Sequence, residues 1–376
     1  MPWSEVSVMD LRREFVGLAT REGANVSQLC RRFGISRTCG YKWLARARAG
    51  GGLADRSRRP HSSPTRTPAE VEAQVLDLRD QHPAWGARKL SRRLGDLGTA
   101  DVPVSTVQAI LGRHNRITPA DGAQRGAYQR FERATANELW QMDFKGHFAY
   151  AGGRCHPLAV LDDHTRYVVC LAACLDETGA TVRGCLEGCF QRYGLPQAIL
   201  VDHGAPWGSD PGVRYTPLTV WLMRLGIEVL HGRPYHPQTR GKIERLNRSL
   251  KAEVLQGRWF AELAAIERAF ADWRHCYNHE RPHGALDHAV PASRYRVSPR
   301  ACPARLPDLV YGPEDIVRRV HDGGRISFLG HRLRLPRGLR GQDIALRPTT
   351  EDGVWDVYFM VQRVTQVDLR HPLDIP

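Results

Sequence analysis

Apolar positions recur at helical spacing from the start of the chain. The segment SVMDLRREFVGLATREG predicts a helix that ends at Gly23. In the next stretch, NVSQLCRRFGISRTCGYKWLARARAG, Val26, Leu29 and Phe33 mark a short helix and Gly34 a turn. Ser36 is placed to cap a second helix that turns Trp43 and Leu44 inward and exposes Arg37, Thr38, Tyr41 and Lys42. A helix, a glycine turn and a helix opening on small polar and basic residues is a helix-turn-helix pattern; the plain alternative is an αα-hairpin. This gives a first DNA-binding domain over residues 1–50. Residues 51–68 are Gly, Ser, Pro and Arg with almost nothing apolar, a basic flexible linker whose Arg58 and Arg59 could track phosphates. Residues 69–130 form a second helical block, with Ser105 as the N-cap of a short helix and GARKLSRRL as a basic amphipathic segment. They predict a second helix-turn-helix or winged-helix unit that binds DNA.

From Glu138 the period changes to that of strands. LWQMDFKGHFAY alternates imperfectly, CHPLAVLDD is a short apolar run, and RYVVCLAACL is β-branched and apolar. A helix stopped by Gly194 follows, then the buried strand PQAILVDHG, the helix LTVWLMRLG, the strand IEVLHG, a helix from about Thr239, and the long helix AELAAIERAFADWRHCYNHE. This order predicts a mixed α/β domain over residues 136–298. The tail, residues 312–371, has several short strands with glycine-bearing turns and predicts a small β-barrel.

Charge adds a partner to this outline. The 376-residue chain has a formal net charge of +14, and residues 1–135 hold 23 Lys/Arg against 13 Asp/Glu. Such a concentrated basic region suits a polyanion, because each phosphate neutralised releases condensed counterions. The nine cysteines include no C-x-x-C pair, which argues against a zinc ribbon or a thioredoxin-type site. Cys170, Cys174, Cys185 and Cys189 lie in apolar runs and read as small buried hydrophobes. No apolar run is long enough to span a bilayer, so a cytoplasmic protein that does not enter membranes is expected.

Three carboxylates stand out. Asp143 lies within a strand between Met142 and Phe144, Asp202 ends a buried strand, and Glu244 sits in the first turns of the basic helix TRGKIERLNRSLK. Carboxylates converging from two strands and a helix repel unless a cation neutralises them. Mg²⁺ takes such oxygen ligands, and two ions about 3.5–4 Å apart support in-line phosphoryl displacement. Around Glu244, Lys242, Arg245, Arg248 and Lys251 recur every three residues and would hold a DNA backbone. Each acid also has a plain reading: a surface strand residue, a turn-former before Gly204, and an i,i+4 partner of Arg248. Asp162 and Asp163 are a further candidate pair; DDHTR has the composition of a turn and is read as one.

The words WQMDFKG, LAVLDDHTRY, RYGLPQAILVDHGAPW, RPYHPQTRGKIERLNRSLK and YNHERPHGAL resemble the integrase core of DDE transposases of bacterial insertion sequences. The resemblance covers essentially the whole chain and is densest from about Asn137 to Tyr295. It implies a ribonuclease-H-like fold, Mg²⁺ or Mn²⁺ as cofactor with two ions, and Asp143, Asp202 and Glu244 as catalytic metal ligands. It further implies a nucleoid-associated protein whose substrates are double-stranded DNA at element ends and target, assembled as a homo-oligomer. Lys251 matches a position that contacts DNA in the family, and His236 and Gln238 belong to a word that shapes the site. Two features depart from the family pattern: His203 stands where Asn is usual, and 41 residues separate Asp202 from Glu244, more than the usual interval. The expected activity is binding of terminal inverted repeats, cleavage at 3′ ends and joining to target DNA. A catalytically impaired relative acting as a DNA-binding regulator is the alternative, and a metal-dependent nuclease without strand transfer a third.

Overall fold

The computed structural model describes residues 7–57, 66–99, 101–117, 132–208, 215–232 and 241–370, and divides the chain into two compact units, Met1–Arg66 and Thr67–Pro376. The first unit is three helices: α1 (Val8–Ala19), α2 (Val26–Arg32) and α3 (Arg37–Arg48). Ser7, Asn25 and Ser36 cap them in turn, each accepting a backbone N–H three residues on. Gly34, at φ 64°, makes the left-handed turn between α2 and α3. Phe15, Ala19, Cys30 and Leu44 form the core. A side chain at Gly40 would put a Cβ 2.5 Å from Cys30 Sγ and 2.9 Å from Phe15 Cζ, so glycine lets α3 seat against the other two helices.

The second unit opens with another three-helix cluster: α4 (Ala69–Gln81), α5 (Ala87–Asp96) and α6 (Val104–Arg113) around Val75, Trp85, Leu90, Leu94, Val107 and Ile110. Here Pro103, not Ser105, occupies the N-cap position of α6. The fixed φ of proline suits a helix start, which places Ser105 inside the first turn.

Next comes a sheet of β1 (Leu139–Phe144), β2 (Phe148–Tyr150), β3 (Gly153–Asp162), β4 (Val168–Cys174), β5 (Ala198–Val201) and β6 (Glu228–His231). β4 and β1 flank β3 antiparallel, while β5 joins β1 and β6 joins β5 in parallel. The single strand expected over LWQMDFKGHFAY is broken at Gly146, and its second piece, β2, continues along β3. One face carries Trp140, Met142, Val160, Ile199 and Val201 and packs on α7 (Gly179–Tyr193) and α8 (Pro217–Arg224). The other carries Ala159, Leu161 and Val168 and packs on α9 (Gly241–Leu250), a following π-helical turn Lys251–Leu255, and α10 (Leu263–His279). Helices on both faces of a three-antiparallel, two-parallel sheet make the ribonuclease-H-like α/β fold. Gly194, at φ 73°, stops α7.

The C-terminal strands β7 (Ile316–Arg319), β8 (Arg325–Phe328), β9 (His331–Arg334), β10 (Asp343–Pro348), β11 (Val354–Phe359) and β12 (Gln362–Asp368) form a four-stranded sheet, β12-β11-β10-β7, and a β8–β9 ribbon. Ile326, Phe328, Leu346, Val357 and Phe359 belong to the same apolar cluster as α7 and α8, so this β unit is built onto the core. The Gln362 side chain accepts from Val229 N–H and donates to Val229 C=O of β6, both at 3.3 Å. No described helix is long and apolar enough to cross a membrane.

Candidate active site

Alternation along β1 fixes what its residues face. Trp140 and Met142 point to α7 and α8, so Gln141 and Asp143 point to the α9 side. On β5, Ile199 and Val201 take the first face, which turns Leu200 and Asp202 to the second. The parallel register pairs Leu139 with Ala198, Trp140 with Ile199 and Gln141 with Leu200. Carried two residues on, it sets Asp143 beside Asp202 at the carboxyl edge of the sheet, where open α/β folds place ligands. Both residues are half-buried.

The third element, α9, lies across this edge with Ile243, Leu246 and Leu250 buried on the sheet. Polar bonds hold its register. Gln141 Oε1 accepts from the Ile243 N–H at 3.2 Å, and Asn247 Nδ2 donates to Asp143 Oδ2 at 3.0 Å. Glu244 stands one turn before Asn247 and is exposed. Among the described residues it makes no ion pair, with Arg248 or any other cation, so the salt-bridge reading of Glu244 has no bond behind it. Among the described residues no three His, Cys, Asp or Glu side chains together could hold a metal ion. The donors at this edge are nonetheless all carboxylate oxygens, the chemistry a hard divalent cation takes.

Lys242 has a different surrounding from its basic neighbours. Its Nζ lies 2.6 Å from Oδ2 of the fully buried Asp163 and donates to the Asp163 carbonyl at 3.2 Å. Burial pushes the Lys242 ammonium below its usual range, against the pull of Asp163. Arg245, Arg248 and Lys251 are exposed. A three-residue interval falls about 60° short of a full turn at each step, so Lys242 and Lys251 face different ways. Lys145 is lowered by burial and by the nearby charge of Lys251, which puts a second cation beside the Lys251 end of the helix.

Asp162 and Asp163 are buried structural acids of the turn expected at DDHTR. Asp162 accepts from Asn137 N–H, Thr165 N–H and Thr165 Oγ1, and Asp163 accepts from Gln141 Nε2 and Arg133 N–H. Desolvation raises the Asp162 carboxyl above the ordinary range. His203 donates through Nε2 to the Gly232 carbonyl at 2.6 Å and stacks on His231, tying the end of β5 to the end of β6. The carbonyl can only accept, so Nε2 carries the proton. Asp202 Oδ1 accepts from the Gly204 N–H at 3.0 Å, closing the turn that follows. Arg58, Arg59, His236 and Gln238 lie outside the described residues.

In the first unit Arg37, Thr38, Tyr41 and Lys42 are all exposed on α3, while Trp43 and Leu44 are buried. Arg12 lies 4.0 Å over the Trp43 ring and pairs with Asp55 at 2.9 Å, which fixes the back of that helix. Gln141 and Asn247 are the residues that reading the sequence missed. Their signal was present: Gln141 and Asp143 are the polar positions of an otherwise apolar strand, and Asn247 lies i+3 from Glu244 among buried leucines.

Comparison with known proteins places domain families along the chain. Models of the integrase core domain match residues 133–237 and 225–291, and the C-terminal domain of IS481 family transposases matches 315–373. The chain carries an integrase core domain, followed by a domain similar to the C-terminal domain of IS481 family transposases. Ahead of this integrase core, a helix-turn-helix domain matches 11–61 and a homeodomain-like domain 39–111. The chain is 29% identical over 241 residues to a protein of insertion element IS476 from Xanthomonas euvesicatoria, covering 61% of this chain and 66% of that one. It is 30% identical over 177 residues to an IS407 protein from Burkholderia multivorans, covering 46% and 61%. The match therefore spans less than two thirds of either relative. The chain is also 29% identical over 134 residues to the Pro-Pol polyprotein of simian foamy virus type 3, covering 34% of this chain and 11% of the polyprotein.

Proposed function

We propose that this chain is an active transposase: it binds the terminal inverted repeats of its element, cleaves at the 3′ ends and joins them to target DNA by metal-dependent phosphoryl transfer. The observation that carries the reading is the shared edge of β1 and β5, where Asp143 and Asp202 fall side by side on the face covered by α9 and Glu244. Asp143, Asp202 and Glu244 would hold Mg²⁺ or Mn²⁺, which when bound lowers the pKa of a water or 3′-hydroxyl and neutralises charge on the phosphate. Asn247 holds the Asp143 carboxylate in place, and the Gln141 bond to Ile243 fixes how far α9, and with it Glu244, reaches over the edge. His203 sets the turn after Asp202 and needs no chemical step of its own. Arg245, Arg248 and Lys251 take the phosphates flanking the scissile bond, and Arg37, Thr38, Tyr41 and Lys42 read the repeat in the manner of a recognition helix. Joining two ends calls for a homo-oligomer.

The test is end cleavage and joining with Glu244→Gln in Mg²⁺. The expected result is loss of both with repeat binding retained, because the amide keeps the shape and removes the charge. Unchanged cleavage would sink the metal-site assignment. Wild-type protein that binds ends but never cuts them would point to the regulator, and one that cuts but never joins pre-cleaved ends to the nuclease.

A further inference from the structure

Four of the nine cysteines fall on two facing elements. Cys170 and Cys174 are four residues apart on β4, and Cys185 and Cys189 are four apart on α7, so each period turns its pair to one side. Those sides meet, because all four belong to the apolar layer between α7 and the sheet. Cys174 Sγ lies 4.0 Å from Cys185 Sγ, and the Cys170 thiol donates to Cys185 and to Cys189. Cys189 in turn donates to the Val169 carbonyl at 3.9 Å. The sulfurs therefore run in a row, Cys174, Cys185, Cys170, Cys189. A thiolate metal site needs its sulfurs closed around one centre, and among the described residues no three such ligands converge.

The four thiols are not alike. Cys170, Cys174 and Cys189 are buried, whereas Cys185 is half-buried. Beside it on α7, Gly184 and Gly188 are exposed, and a Cβ added at either would meet nothing within 4 Å, so no side chain screens Cys185 there. Hydrogen bonds from Cys170 and Cys174 hold the Cys185 thiol below its usual range and favour the thiolate, which is the reactive form. The same bond to Cys185, with burial, raises Cys174 and keeps it a thiol. By contrast, burial pushes Cys155 and Cys276 up to about 12, which leaves them inert at neutral pH.

We propose that Cys185 and Cys174 are a peroxide-sensitive thiol pair, in which a hydroperoxide oxidises Cys185 and Cys174 then closes a disulfide between α7 and β4. The Cys185 thiolate attacks one peroxide oxygen. An S–O bond forms, the O–O bond breaks, and the departing hydroxide takes up the proton that Cys185 gave to solvent. The Cys174 sulfur next attacks the Cys185 sulfur. The S–S bond forms, the S–O bond breaks, and the hydroxyl leaves as water with the Cys174 proton. With hydrogen peroxide the sum is two thiols and one peroxide giving one disulfide and two waters; the sulfurs lose the two electrons that the peroxide gains. Closing from 4.0 Å to the roughly 2.05 Å of a disulfide is within the reach of side-chain rotation. Intracellular disulfides of this kind are transient and redox-sensing. The pair lies under α7, on the face of the sheet opposite α9, so it owes nothing to the carboxylate edge.

The experiment exposes the full-length chain to a few equivalents of hydrogen peroxide, blocks the remaining thiols with N-ethylmaleimide and maps tryptic peptides without reduction. Arg183 lies between the two pairs, so trypsin separates Tyr167–Arg183, which holds Cys170 and Cys174, from Gly184–Arg192, which holds Cys185 and Cys189. The expected result is that these two peptides become linked in wild type and in Cys170→Ser, and that the link is lost in Cys174→Ser and in Cys185→Ser. Dimedone should trap a sulfenic acid at Cys185 in Cys174→Ser, where nothing resolves it. The wild-type map stands whether or not a variant folds. Absence of the link in folded wild type, at doses that oxidise the urea-unfolded chain, overturns the proposal. So does a link that survives Cys174→Ser and vanishes in Cys170→Ser, or one that forms only between isotope-labelled and unlabelled copies. Stoichiometric zinc that shields these thiols in the purified protein also overturns it, in favour of a metal site.

Discussion

Replacing Lys242 with methionine separates two uses of that side chain, a grip on DNA and a clamp on α9. Its ammonium lies 2.6 Å from Asp163, whose side chain has no solvent exposure, and only 17% of the lysine side chain is exposed. Removing one partner of a buried pair typically costs about 3–5 kcal/mol, because the remaining charge is stranded. Asp163 keeps its bonds from Gln141 Nε2 at 2.8 Å and Arg133 N–H at 2.9 Å, so the low end, about 3 kcal/mol, is expected. That is about two decades in the folding constant. Urea denaturation followed by tryptophan fluorescence measures it, with Asp163→Asn and the double variant completing a cycle. The double variant should recover at least half of the loss, since a neutral pair strands nothing. If Lys242→Met costs under about 1 kcal/mol and lowers only the salt slope of DNA binding, by about one, the clamp reasoning is refuted and Lys242 is a phosphate contact.

Other substitutions probe separate parts of the molecule. Asn247→Ala, which removes the 3.0 Å bond to Asp143, should reduce Mg²⁺-dependent end cleavage about 10–100-fold, as loss of a ligand-orienting group does, with a matching rise in the Mg²⁺ needed. Gly40→Ala should destabilise the first helical unit by about 1–3 kcal/mol through overpacking on Cys30 and Phe15, seen as faster hydrogen exchange in α1–α3. Lys89 is pushed down to about 8, chiefly by burial and then by the Arg281 charge, from the 10.5 it has when unfolded. Between those values the unfolded chain binds the extra proton, so stability rises with pH there. Relative to wild type, Lys89→Met should flatten that rise and add stability at pH 7, in denaturation curves taken from pH 7 to 10.5.

Much of this was legible in the residues because local rules and tertiary packing agree. Ser36 caps α3 and Trp43 and Leu44 turn inward, as the helical period requires. The acids of β1 and β5 share a face because strand alternation is strict. What stayed hidden depends on register between distant segments. The bond from the Ile243 N–H to Gln141, and that from Asn247 to Asp143, each cross about a hundred residues, and only the sheet order brings their ends together. Lys242 looked like one more cation in a basic row, because nothing local shows that Asp163 waits beneath it. Gly146 broke an expected strand since its φ of 83° suits a bend that alternation cannot reveal. Proline, by contrast, could have located the start of α6 from its chemistry alone.

The Gln362 side chain has a consequence for how the protein can be cut. Its amide carries one acceptor and one donor, and it meets the N–H and C=O of Val229 as a passing strand would. It thus acts as a one-residue false strand along β6, the last strand of the sheet. Remove the C-terminal β unit, and that edge offers bare backbone groups beside the apolar side chains of α8. Exposed edges of this kind recruit other edges. A fragment ending before residue 312 should therefore be prone to intermolecular strand pairing and aggregation, a hazard that the uncut chain covers with a single glutamine and the sheet behind it.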